Sequence, residues 1–275
     1  MRAHRRIRQT SRSIGEHVPE SPKMAKRYWK SVLLLLVSIS FALSPLLSGG
    51  FNGFAPDRFP IAQIDPPAQP AGYAFAIWGL IYLWLLVSAG YGVLRRAPDR
   101  HWNRMRGGLI VSLAIGAAWI PVAQISPLAS TVMIWLMTGA AILALLRAPA
   151  ELPWLGSIPV GLYAGWLTVA ANVALALVLA GYGVIDPQVA ALICLTLAMI
   201  IALAVLTLRP ISRGYAAAVI WALIGVCAAN IGNGDEDGNI AVLALCALAI
   251  GLISARLSMA PKPPSNGAAW AARRG

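Results

Sequence analysis

Residues 71–94 read AGYAFAIWGLIYLWLLVSAGYGVL, and no charged side chain interrupts them. A run of that length spans the ~30 Å hydrocarbon core of a bilayer, which takes about 20 helical residues. Inside lipid its amide and carbonyl groups have no water to bond, so they must satisfy one another within the segment, and a helix does this. Similar runs recur at about 31–48, 108–124, 129–146, 156–180, 188–208, 215–231 and 240–257. None shows the alternating pattern of a membrane barrel. The expected fold class is all-α, a polytopic transmembrane helical bundle of about eight spans. The third, fourth, seventh and eighth runs are the shortest.

The composition of the 275-residue chain agrees: 59% of residues are hydrophobic, 12% are charged, and the mean hydropathy is +0.71. A soluble domain carries roughly 25% charged residues and must cover its surface with polar groups. The net charge of +12 therefore points to positive segments beside an anionic leaflet and argues against a nucleic-acid partner. Lys and Arg in short flanking segments resist translocation. With eight crossings, 21 of the 22 Lys and Arg fall on one side, and Arg58 stands alone opposite with Asp57, Asp65, Asp186 and the cluster Asp235, Glu236, Asp237. Both termini are accordingly expected to be cytoplasmic, in a multi-pass protein of the cytoplasmic membrane.

Residues 1–30 and 258–275 are too polar to offset their ordering entropy and read as disordered basic tails. Met24, ahead of Ala-Lys-Arg-Tyr-Trp-Lys and the first apolar run, is also a plausible start, which would make residues 1–23 a start-site artefact. A cleaved signal peptide fits poorly, since the basic region is long and Pro45 interrupts the place of a cleavage site. Cys194, Cys227 and Cys246 fall inside spans and read as small packing residues, without a disulfide framework or metal spacing. His4, His17 and His101 all lie outside the spans, so no axial ligand for haem is expected within the membrane. No mid-span ionisable group, nucleotide loop or catalytic constellation is visible, which lowers the ion-coupled carrier class and leaves an enzyme least supported.

What remains is aromatic. Of the ten Trp, Trp29 and Trp154 sit at span starts, where indole belongs in an interfacial belt. Trp78, Trp84 and Trp166 lie deeper, where an indole N–H needs a partner. Phe75, Trp78 and Tyr82 share one helix face, and so do Pro159, Tyr163 and Trp166. Spacing alone favours plain helix packing for such stripes over a ligand site.

These residues also carry a resemblance. The stretch from Asp57 to Val93 resembles the first loop and second helix of the tryptophan-rich sensory protein / translocator protein (TspO/MBR) family. That family's hallmark is a Pro-rich loop, then Pro-Pro-Gly-Trp-x-Phe-x-x-x-Trp-x-x-Leu-Tyr. Here the chain reads Pro70-Ala71-Gly72-Tyr73-Ala74-Phe75, then Trp78 and Ile81-Tyr82. Ile158 to Trp166, continuing to Ala171-Asn172, is similar to the fifth helix, and Trp119 matches the third-helix Trp. Tyr73 replaces the loop Trp, the third-helix Asn is missing, and three more spans follow the family's usual five.

The resemblance implies a five-helix TspO/MBR-like bundle over 31–182 with an additional three-helix membrane segment over 183–257. It implies a flat apolar ligand, a tetrapyrrole such as a porphyrin or a sterol-like molecule, bound by a sensor or transporter, with no cofactor required and a homodimer left open. The site it implies comprises Tyr73, Phe75, Trp78, Tyr82, Trp119, Tyr163, Trp166 and Asn172. Trp78 and Trp166 are expected to line one cavity, closed by the 49–70 loop through Tyr73. The alternatives are a small-solute membrane transporter and a structural membrane protein without ligand.

Overall fold

Four of the long helices begin on a side chain that closes their first turn. Asp99 accepts from the amides of His101 and Trp102, Ser126 from Ala129, Asp186 from Gln188 and Val189, and Asn239 from Val242. Pro127 and Pro187 follow two of these caps, at the position where a missing N–H costs nothing. In the computed structural model, which describes residues 22–232 and 238–260, the long elements in chain order are α1 (Pro22–Ser48), α2 (Ile77–Arg96), α3 (Arg100–Ile125), α4 (Pro127–Leu146), α5 (Ser157–Gly181), α6 (Pro187–Leu208), α7 (Arg213–Asn230) and α8 (Ile240–Ser258). Short 3-10 turns occupy Pro56–Arg58 and Gly72–Ala76. Strands are absent among the described residues, and all eight long helices are apolar and long enough to cross a membrane.

All eight expected spans are present, with shifted ends. Residues 22–30 belong to α1, so the helix reaches back into the expected tail. The rest of that tail, the segment 261–275 and the acidic cluster 235–237 lie outside the described residues. The second span opens as a 3-10 turn at Gly72–Ala76 and becomes α-helical at Ile77. The third begins at Arg100, eight residues before its apolar run, because Asp99 caps it there.

α5 is the central post. It is apolar on every face and buried nearly all round, as a helix surrounded by other helices must be. On one side stand α4 and α2, with α1 and α3 beyond, and α3 and α4 form a tight hairpin turned at Ser126. On the other side α6 and α7 pack directly on α5, and α8 packs on those two. The α5–α7 crossing is made by small residues, since a Cβ on Gly165 would collide with the Tyr215 carbonyl oxygen and one on Gly161 would lie 2.9 Å from the Tyr215 amide nitrogen. Close backbone approach of this kind supplies the dispersion contacts that hold helices together where lipid removes the hydrophobic drive.

Two arginines cap helix ends in tertiary contacts. Arg106, which falls between the expected second and third apolar runs, lies fully buried in α3 and donates to the carbonyls of Gly92 (3.1 Å), Arg96 (2.8 Å) and Ala97 (2.9 Å) at the end of α2. Arg209, just after α6, does the same for Leu145 (2.6 Å) and Ala148 (2.8 Å) at the end of α4, and burial holds its guanidinium below its ordinary pKa. Terminal carbonyls carry the negative end of the helix dipole, so a cation there is favourable.

Candidate functional site

The first loop, 49–71, lies across the end of the bundle opposite these arginines and is tied to three helices. Gln124 of α3 donates to Ser48 O (2.6 Å), and Gly49 and Gly50 take left-handed φ values of 77° and 80° to leave α1. Phe59 packs on Gly181 at the end of α5, and the Ile61 amide bonds Gly181 O (2.9 Å). Asn230 of α7 donates to Pro67 O (2.9 Å), the Ala71 amide donates to Gly225 O (2.9 Å), and Trp221 donates to Ala74 O (2.9 Å). The Pro-rich half of the loop is thus held by α7, outside the five-helix segment.

Beneath the loop lies a two-lobed cavity. The larger lobe, about 180 Å³, is lined by Phe41, Phe51, Phe75, Trp78, Tyr82 and Trp119 among others. The smaller, about 40 Å³, has Phe54, Gln69, Pro70, Phe75, Trp119 and Trp166 in its wall. Phe51, Phe75, Trp119 and Ile134 border both. The rings meet mostly edge to face: Phe51–Trp119 at 4.7 Å, Phe75–Trp166 at 5.7 Å and Trp78–Trp166 at 6.1 Å between centroids. Trp78 and Tyr82 instead lie nearly parallel at 5.4 Å. These are the offsets that the ring quadrupole prefers.

Indole N–H groups separate structural from available tryptophans. Trp84 donates to Trp154 O (2.7 Å), Trp119 to Ser130 O (2.8 Å) and Trp221 to Ala74 O. Trp102, near the start of α3, and Trp166 each keep a buried Nε1 without a partner, and of the two it is Trp166 whose side chain lines the smaller lobe. An unpaired buried donor costs about 1–3 kcal/mol, a cost that an acceptor on a ligand would remove.

Five expected site residues, Phe75, Trp78, Tyr82, Trp119 and Trp166, are brought together here. Three line neither lobe. Tyr163 is fully buried behind Phe41 and donates to Ser112 Oγ (2.8 Å), whose own proton goes to Met137 O (2.8 Å). Asn172 donates to Thr168 O (2.8 Å), leaving Oδ1 unpartnered, on the stripe of α5 where Thr168 accepts from Tyr215 of α7. Tyr73 does not close the cavity. The 3-10 turn turns it outward, 51% exposed, with its ring 5.8 Å from that of Trp221. Closure comes from Phe51, Phe54, Gln69 and Pro70, which motif spacing did not single out. The available signal was Phe51-Asn-Gly-Phe54, two aromatics in an otherwise polar turn.

An eight-helix bundle of membrane-spanning length with an aromatic cavity under a Pro-rich loop defines a polytopic membrane protein. The chain belongs to the TSPO-like protein family, whose model matches residues 57–257. That match continues through α6–α8, beyond the residues that carry the sequence resemblance. No curated protein and no solved structure matches the chain.

Proposed function

We propose that the protein binds a flat apolar ligand, tetrapyrrole or sterol-like, in the cavity under the first loop, as a sensor or transporter of the cytoplasmic membrane with both termini cytoplasmic. The observation that carries this reading is the buried, unpartnered Nε1 of Trp166 beside an aromatic lobe. It calls for a ligand with a ring face and one hydrogen-bond acceptor. The chemistry fits a porphyrin, whose face stacks on indole and phenol rings and whose carboxylates accept. The closed volume does not: both lobes lie below the ~300–1,000 Å³ of sites for drug-sized ligands. A macrocycle therefore requires the 49–58 half of the loop to lift, while α7 retains the 66–76 half.

The function is binding, with no catalytic residue assigned and no cofactor required. Haem would bind without histidine ligation: His101 stands at the start of α3, at the far end of the bundle, and its removal is expected to leave a haem Soret band unchanged.

The test is quenching of tryptophan fluorescence in the purified protein by protoporphyrin and by a sterol. Stacking on one aromatic ring is worth about 1–3 kcal/mol in nucleic-acid complexes. Trp78→Ala and Trp166→Ala then weaken porphyrin binding by roughly ten- to a hundred-fold, and Trp29→Ala, at the exposed start of the first span, does not. Failure of the wild type to bind either ligand rejects the reading. A small-solute transporter would take its place, because the closed lobes already admit a small molecule.

A further inference from the structure

At the opposite end of the bundle, the first turn of α3 and the α4–α5 loop enclose a cleft of about 350 Å³. His101 and Arg104 stand one turn apart on α3, and Arg147 terminates α4 as its C-cap; all three are exposed and line the cleft. No carboxylate pairs with them: the one ion pair among the described residues joins Arg96 to Asp99 at 3.4 Å. Asp99 is already engaged, one oxygen capping α3 and the other on Arg96. Glu151 lies in the same loop, directly after Ala150, where its charge acts on Arg96, and it does not line the cleft. Arg209 pins the loop wall from behind through the Leu145 and Ala148 carbonyls and adds a third cation nearby. Leu146 and Pro149 give the cleft an apolar flank.

We propose that this cleft is a binding site for the headgroup of an anionic glycerophospholipid, with Arg104 and Arg147 on the phosphate oxygens, His101 on the glycerol end, and Leu146 and Pro149 against the acyl-glycerol. Guanidinium matches phosphate geometrically and electrostatically. The flanking of cations by apolar surface, at the level where spans end, favours a phosphate that carries a lipid over a soluble one. Because the arginines are exposed, water screens each contact, and the result is a preference among lipids.

The experiment is native mass spectrometry of the full chain released from detergent with phosphatidylglycerol or phosphatidylcholine. Phosphatidylglycerol is expected to be retained about tenfold better. The double variant Arg104→Gln/Arg147→Gln loses that preference, Arg104→Lys/Arg147→Lys keeps most of it as point charges, and Arg58→Gln at the other end changes nothing. Both double variants are expected to melt with the wild type, since neither side chain bonds within the fold. Undiminished preference in the Gln variant overturns the proposal, and so does its failure to fold. Glycerol 3-phosphate displacing the lipid at equal concentration overturns the lipid source.

Discussion

Trp166 and Arg106 are both buried in the bundle: the Trp166 indole keeps its one donor unmet, whereas Arg106 bonds three carbonyls through Nη1 and Nη2 and leaves only Nε without a partner. Replacing Trp166 by Phe removes the unpaired N–H and keeps a ring. The ligand-free protein should then be stabilised by up to about 1–3 kcal/mol, seen as a higher melting temperature, while affinity for an acceptor-bearing ligand falls. Arg106→Ala should do the reverse, destabilising the fold by about 3 kcal/mol because hydrogen bonds to a charged group are worth about 1.5–3 kcal/mol. Thermal melting in one detergent distinguishes the two. Neither residue announces this in sequence: an indole's partner and an arginine's carbonyls are set by which helices meet, nine or more residues away or on another span.

At the scale of elements, the spans themselves were legible because lipid imposes one requirement on every residue of a segment, and a run such as 188–208 satisfies it without reference to its neighbours. Helix ends were less so. Asp99 extends α3 back over Arg100 to Gly107, and the turn at Gly72–Ala76 reverses Tyr73. The α5–α7 crossing depends on Gly165, so Gly165→Leu should force the two backbones apart and lower the melting temperature, whereas Gly139→Leu on α4, where a side chain meets open space, should leave it unchanged. The loop makes a similar test. In Trp221→Phe/Asn230→Ala, hydrogen exchange should accelerate at residues 66–76, which lose two anchors to α7, and stay constant in α3.

At the scale of the whole molecule, the described cations Arg95, Arg96, Arg104, Arg147, Arg209 and Arg213 mark one end of the bundle and Arg58 the other. The orientation proposed from that asymmetry predicts labelling in a cysteine-free background. An impermeant thiol reagent on intact cells should modify a cysteine at Ile64, 76% exposed in the outer loop, and spare one at Ala150. The reverse pattern would invert the protein in its membrane.

The aromatic stripe of the second span was readable from its spacing, and Phe75, in the 3-10 turn, still joins Trp78 and Tyr82 of α2 at the cavity. That this face meets Trp166 and Trp119 was expected only through the family resemblance, because convergence depends on how the helices cross. The sequence by itself determined the number of spans, their helical state and the charge asymmetry, all consequences of a uniform solvent acting residue by residue. Tertiary structure alone decided that α5 is the centre, that α7 rather than the five-helix segment holds the loop, and that Phe51 and Phe54 rather than Tyr73 close the cavity. Those outcomes follow from which small residues permit close approach and where unpaired polar groups find partners across the fold, and neither quantity exists within a single segment.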